Sequence, residues 1–351
     1  MNSSTRKTGN LLFIFFSIGA AAAFALAAAI SITAGAALAK SKGVDVEIPF
    51  DGSQLKTPEI KQPIYLQPAG GSMIVSDAAG GVYSVTMSGA TKTIADKTKV
   101  PHPGGLAEAP AGFGAYAGQM FVLNAPDGDK GSCEVDRIDK SGTVSVFAKL
   151  PDVGANKPTV CRDLEFAPAG GAYAGKLYAA VSGNSTIYAI DSSGKASAFG
   201  TFDKPLAFDL SAIAFASASD SKAPGKMLVG MRPRMTGASK IGRISVVGPD
   251  GKMNSDPYLV GFINPTGFGN SPSGFGTYGD TFMIADMGKP AESGGTDDGS
   301  VYRVYKDVAR PFIGNIADPN CMKFIGNKMV IADPSAKGVG SGAIVVISSM
   351  L

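Results

Sequence analysis

The sequence predicts an all-β fold, a six-bladed β-propeller of four-stranded blades, and three observations carry that expectation. Short apolar runs recur, beginning at Met73, Met120, Leu177, Met227, Phe282 and Met329, at intervals of 47 to 57 residues. Alternating segments such as Val82-Tyr-Ser-Val85 and Thr186-Ile-Tyr-Ala-Ile190 lie between them, bounded by turns such as Ser141-Gly142, Ser193-Gly194 and Asp250-Gly251. Nothing after residue 40 has the period of a long amphipathic helix. Period-two runs between turn residues are the strand signature. Four strands in a unit of about 50 residues describe a propeller blade rather than a sandwich or a β-helix.

The elements follow in chain order. Arg6 and Lys7 precede an uncharged stretch from Leu11 to Ala39, and Lys40 ends it. A basic start, an apolar run and the small residues of Ala37-Leu38-Ala39 make a secretion signal, and the run is also long enough to span a bilayer as a helix. Residues 1–39 are therefore expected to form a hydrophobic helix acting as signal peptide or membrane anchor, with 11–34 as the membrane-attaching part. Residues 40–351 are expected to form the propeller, periplasmic or extracellular in either case. Blades are expected near 60–96, 101–150, 156–203, 205–260, 262–313 and 316–350. The last unit holds three strands, and Val44-Asp-Val-Glu-Ile-Pro-Phe50 is expected to supply the fourth and close the ring. Within each unit a short first strand, such as Leu164-Glu-Phe166, leads through a Pro/Gly or Ser-rich turn to the apolar run. Phe113 and Phe275 recur in those turns, and Tyr83, Tyr188 and Tyr302 recur in third strands, which points to packing between blades.

The segment Gln62-Pro-Ile-Tyr-Leu-Gln-Pro-Ala-Gly-Gly-Ser-Met-Ile-Val-Ser-Asp77, with Gly80-Gly-Val-Tyr-Ser-Val85 after it, resembles the NHL-type propeller repeat. Ile187-Tyr-Ala-Ile-Asp-Ser-Ser-Gly194 resembles it too, and the chain is distantly similar to gluconolactonase-type propellers. The resemblance implies the six-bladed fold. It also implies two activities of such propellers: calcium-dependent lactone or ester hydrolysis, and quinone-dependent sugar dehydrogenation. The lactonases open their first blade with a metal-binding Glu followed by Gly-Pro, where this chain has Gln62 followed by Pro63-Ile64. Gly104, Arg162, Ser211, Thr266 and Asn320 match the positions of their later Asn-Gly pairs. The dehydrogenases need a histidine base and cofactor-facing arginines, which His102, Arg232 and Arg234 resemble.

Composition narrows the chemistry. Only one of 351 residues is histidine, so His102 is the sole imidazole for catalysis and multi-histidine metal sites are excluded. Residues 1–39 hold two of the 32 basic residues and no acid, leaving 30 bases against 29 acids, a net +1. A near-neutral domain is not a nucleic-acid binder. No Gly-x-Ser-x-Gly elbow accompanies His102, and no glycine loop joins a strand to a helix.

In a propeller, residues before first strands and after second strands gather on one face. That face collects Gln62, His102, Arg162, Asp163, Asp209, Asn264, Asn320, Arg232 and Arg234. The loops near 124–132, 231–240, 286–299 and 333–341 are enlarged there, and long loops carry function. Asp77, Asn124, Asp286 and Asp333 recur at the ends of second strands; they serve either as oxygen ligands for calcium or as turn caps. Export makes disulfides permissible. Cys133–Cys161 would join adjacent blades, Cys161–Cys321 would have to cross the channel, and burial as free thiols is the alternative. The expected function is binding of a small molecule, a glycan or a protein partner on this face, with no cofactor demanded by the sequence and calcium admissible.

Overall fold

The computed structural model describes residues 50–128, 131–151, 160–202, 208–233, 241–288, 298–336 and 341–349. They form six four-stranded antiparallel sheets. Blades 1 to 5 take their strands from consecutive chain, with inner strands Pro63–Ala69, Pro103–Glu108, Cys161–Phe166, Phe208–Phe215 and Pro265–Asn270. Blade 6 has inner strand Cys321–Ile325, then Lys328–Asp333 and Ala343–Ser349, and is completed by Phe50–Gln54 from the other end of the chain. Phe50 pairs with Ser349 and Gln54 with Val345. Apart from Phe50, the segment 44–50 expected to close the ring lies outside the described residues, as does the expected hydrophobic helix. Among the described residues no helix is long and apolar enough to cross a membrane.

The apolar runs become second strands, and Met120–Asn124, Leu177–Val181 and Phe282–Asp286 are buried at every position. Each such strand is covered by neighbouring blades on both faces, so its sequence is continuously apolar. Outer strands such as Thr91–Ala95 and Val144–Lys149 are mostly exposed or half-buried. The core therefore lies between blades. Phe113 of the blade 2 turn packs edge-on against Phe121 and against Phe166 of blade 3. Phe275 does the same with Phe312 and with Phe324 of blade 6. Tyr188 is buried, and Tyr83 and Tyr302 pack against clusters shared with other blades.

Each of the six seams also carries a polar or covalent tie near the inner strands. Ser76 Oγ donates to Gly104 O at 3.0 Å between blades 1 and 2. The Cys133–Cys161 disulfide, Cα–Cα 5.8 Å, joins blades 2 and 3. Ile213 N donates to Asp163 Oδ2 at 2.8 Å between blades 3 and 4. Ser211 Oγ donates to Pro265 O between blades 4 and 5. Thr266 Oγ1 donates to Pro319 O at 2.7 Å between blades 5 and 6, and Asn320 Nδ2 to Ile64 O at 2.8 Å returns to blade 1. Gly104 and Gly105 let blade 2 approach blade 3 closely: a Cβ on either would collide with the backbone of Cys161–Leu164.

Candidate functional site

The recurrent acids at the ends of second strands have defined partners. Asp77 accepts from the backbone N–H of Lys61 (2.7 Å), Gln62 (2.9 Å) and Ala79 (2.9 Å). Asp286 accepts from Ile263 (2.8 Å), Asn264 (2.6 Å) and Gly288 (3.2 Å). Asp333 accepts from Ala317 (3.2 Å), Asp318 (3.1 Å) and Ser335 (3.1 Å). Asn124 Oδ1 accepts from His102 N at 3.2 Å, and its Nδ2 donates to Asp136 Oδ2 at 2.9 Å. In each case one side chain holds the chain segment that enters the inner strand of its own blade. Burial raises the Asp333 carboxyl to about 6 against the amide bonds that lower it, and also raises Asp286. Asp136 is likewise pushed up to about 6 by burial, with the Asn124 bond opposing.

This donor set does not suit calcium, which needs six to eight oxygens. Both oxygens of Asp77, Asp286 and Asp333 already accept backbone N–H groups. No group of three or more His, Cys, Asp or Glu side chains arranged to hold a metal occurs among the described residues. The four residues act as caps of the strand-entry loops.

The remaining expected residues divide between the channel mouth and its surroundings. A pocket of about 210 Å³ opens at the mouth, lined by Ile64, Tyr65, His102, Pro103, Gly104, Ala125, Val160, Cys161, Arg162 and Asn320. It thus unites His102 of blade 2, Arg162 of blade 3 and Asn320 of blade 6. His102 is exposed, and its Nδ1 lies 3.0 Å from Ala125 O. A carbonyl only accepts, so Nδ1 carries the proton and Nε2 holds the lone pair of the neutral ring. Asn320 is nine-tenths buried, and because Nδ2 donates to Ile64 O its Oδ1 is the acceptor left to the pocket.

Asp163 lies deeper. It accepts from Leu164 N and Ile213 N, both at 2.8 Å, and burial raises its carboxyl to about 7 while the Lys323 charge pulls it down. Below it, Lys323 Nζ of blade 6 meets Glu165 Oε2 of blade 3 at 3.0 Å, an ion pair between opposite blades that bars the channel. Burial disfavours the Lys323 ammonium, but Glu165 and the other groups around it outweigh that and raise its pKa. Cys321 is free and buried beside this pair, its thiol pushed up to about 12, chiefly by burial.

Arg232 and Asp209 form an ion pair at 3.7 Å. Gln62 and Asn264 give their backbone N–H groups to the caps, and Asn264 Oδ1 is buried without a partner among the described residues. Neither lines the pocket. Arg234 lies outside the described residues.

Sequence reasoning missed Tyr65. Its phenol is held well above its usual range by burial and then by Asp163, with Arg162 and Arg232 acting in the opposite direction. The residue is buried and lines the pocket at the mouth. Glu165 and Lys323 were missed as well. The available signal was charge at alternate positions of an inner strand, as in Asp163-Leu-Glu165, since alternation sends both to one face.

With the geometry in place, comparison with known proteins is informative about fold. No family model and no curated protein sequence matches the chain. Solved structures do. A gluconolactonase from Xanthomonas campestris superposes with a TM-score of 0.56 at 12% identity, over 86% of this chain and 90% of its own. A soluble aldose sugar dehydrogenase from Escherichia coli gives 0.54 at 11% identity, over 86% of this chain and 100% of its own. An auxiliary nutrient binding protein from Bacteroides thetaiotaomicron gives 0.56 at 9% identity, over 82% and 69% respectively. The chain shares their fold. At such identities a propeller of this kind carries hydrolytic, redox and binding proteins alike, and function must be argued from the site.

Proposed function

We propose that the protein is an exported propeller that binds a small molecule at the mouth of its central channel. The observation that carries this reading is the pocket itself. It gathers Tyr65, His102, Arg162 and Asn320 from four blades, while the acids a metal centre would use are bonded to backbone amides. Convergent polar groups in a concave site favour a bound molecule over a flat protein interface. At about 210 Å³ the pocket is smaller than sites for drug-sized ligands, so a glycan would enter by a terminal unit only. Residence outside the cytoplasm is supported by the signal-like residues 1–39 and by the Cys133–Cys161 disulfide. Whether residues 11–34 stay in the membrane is a separate question, answered by the mass of the mature protein.

The two enzymatic readings rest on likeness of fold. For calcium-dependent hydrolysis, Gln62 is neutral and Arg162 puts a cation in the mouth, which works against a bound divalent ion. For quinone-dependent dehydrogenation, His102 offers Nε2 as a base, but Arg232 is paired with Asp209.

The test is a thermal-shift screen of small molecules against the wild type and Val160→Trp, which fills the pocket. Ligands that raise the melting temperature of the wild type alone are expected. A hit that stabilises both proteins equally binds elsewhere. Turnover of a lactone or sugar that depends on calcium or quinone and on His102 would replace this reading with an enzymatic one.

A further inference from the structure

The end of the ring opposite the mouth carries a basic edge that the proposed binding site does not use. The outer hairpin of blade 5, Gly299–Tyr305 and Val308–Ile316, turns there through Lys306 and Asp307. Tyr305 is 46% and Val308 53% exposed. Three cations surround the Tyr305 ring: Lys306 Nζ lies 5.3 Å from its centroid, Arg310 Cζ 5.5 Å and Arg303 Cζ 5.6 Å. Lys306 and Arg310 are exposed and have no ion-pair partner among the described residues. Of the acids beside them, Asp307 accepts from the Ser221 hydroxyl at 2.7 Å and Asp220 from the Tyr258 hydroxyl at 2.6 Å. Lys222 of blade 4 donates to Asp307 O at 3.3 Å, and exposed Lys328 adds a cation on blade 6. A domain of 30 bases against 29 acids thus gathers positive charge and an aromatic ring along one edge, from blade 4 to blade 6.

The chain enters the ring beside this edge. In blade 5 Arg303 lies opposite Met283, and two residues on Tyr305 pairs with Val308. In blade 6 Ile347 lies opposite Met329, and two residues on Ser349 pairs with Phe50. Phe50 therefore holds in blade 6 the place that Val308 holds in blade 5, at the end of the ring away from the mouth. Fifteen residues, 35–49, separate it from the apolar stretch 11–34, a reach of at most about 50 Å. We infer that this edge rests on the anionic phospholipid headgroups of the membrane that holds residues 11–34, so that the mouth faces away from the bilayer. Lys306, Arg310 and the cations beside them meet the phosphates, and Tyr305 lies at headgroup level, where amphipathic rings are favoured. The tether keeps the edge at a high local concentration, so the modest attraction of a few cations is enough. The inference rests on residues 11–34 staying in the membrane.

The test uses the full chain reconstituted into vesicles, with an environment-sensitive dye on Val308→Cys at the edge or on Lys99→Cys in a loop of the mouth face. The native thiols do not compete, since Cys133 and Cys161 are bridged and Cys321 is buried. On equimolar phosphatidylglycerol and phosphatidylcholine the Val308 dye should shift to the blue and the Lys99 dye should not. The shift should vanish on phosphatidylcholine alone and in high salt, which screens exposed charge. Lys306→Gln with Arg310→Gln should lower the docked-to-undocked ratio roughly thirtyfold. Melting curves check that the ring is intact, and Lys306→Gln alone, at about fivefold, preserves the test if the double variant does not fold. An equal shift on neutral vesicles, or a shift of the Lys99 dye instead, would overturn the inference. A Val308 dye that answers to soluble polyphosphate but not to anionic vesicles would replace the membrane by an anionic polymer. Flotation in high salt separates the two premises. Full chain that leaves the vesicles refutes the tether, whereas full chain that stays while the Val308 dye never shifts refutes the edge.

Discussion

At the scale of single residues, one carboxylate does the work of several loop contacts. Asp77 is 1% exposed and takes three backbone N–H groups, two of them from the segment that leads into the first inner strand. Removing it leaves those donors in a partly buried place, at a cost of about 1–3 kcal/mol each where water cannot replace the bond. Asp77→Ala should therefore destabilise the protein by roughly 2–4 kcal/mol, and Asp77→Asn by less because one oxygen remains. Urea titrations measure this. Millimolar calcium should leave both midpoints unmoved, whereas a calcium-dependent rise lost in Asp77→Ala would restore the metal reading. The sequence showed Asp77, Asn124, Asp286 and Asp333 recurring but not what they bind. A cap and a ligand both place an acid at the end of a buried strand, and only the amide geometry separates them.

At the scale of elements, the seams decide how the ring holds. The second strands were legible because both faces are buried, leaving continuous apolar runs at a regular interval. Closure by the N-terminal segment is expected over Val44–Phe50, but the strand that pairs is Phe50–Gln54, whose Asp51-Gly52-Ser53-Gln54 has no apolar alternation to mark it. It pairs with Ala343–Ser349 through backbone groups, which any sequence carries. The same distinction runs through the mouth. His102 and Asn320 were found by their place before inner strands and Arg162 by its place at the start of one, while Tyr65 lies further along its strand and reads as core. The blade 2–blade 3 seam is the one tied covalently, by a disulfide spanning 28 residues. Chain-entropy arguments give a bridge of that span about 3.5 kcal/mol. The double variant Cys133→Ala, Cys161→Ala should lose about that much stability, and reduction of the native protein should give the same midpoint shift. An equal midpoint with and without the bridge would mean that Gly104, Gly105 and the apolar seam hold blades 2 and 3 unaided. Because Cys161 and its neighbours Val160 and Arg162 line the pocket, ligand affinity should fall with the same reduction.

At the scale of the whole molecule, the polar interior makes stability depend on pH in an unusual direction. Asp136 and Asp333 titrate near 6 and Asp163 near 7 in the folded state, and Asp286 is raised as well, in each case mainly by burial. Unfolded, they titrate near 3.9. Between those values the folded protein binds more protons than the unfolded chain, so stability falls as pH rises. The contribution is complete below pH about 4 and is lost as pH climbs through about 6 to 7. Asp96, Asp139 and Asp191 work in the opposite sense, their carboxyls lowered by bonds from Thr98, Ser141 and Ser193 in exposed turns. Their contribution disappears only on acidification through and below the unfolded value, a separate window. Melting temperature should therefore rise as pH drops from about 8 to 5.5 and decline again under stronger acid. Asp163 contributes to the upper part of that rise, because it titrates near 7, inside the ring with Lys323 and Glu165. Asp163→Asn should flatten the profile between about pH 6 and 7.5 while leaving the lower part, which belongs to Asp136 and Asp333. A wild-type melting temperature that climbs from pH 5.5 to 8 would show that the Lys323 and backbone amide partners outweigh burial, and that the interior acids are charged throughout.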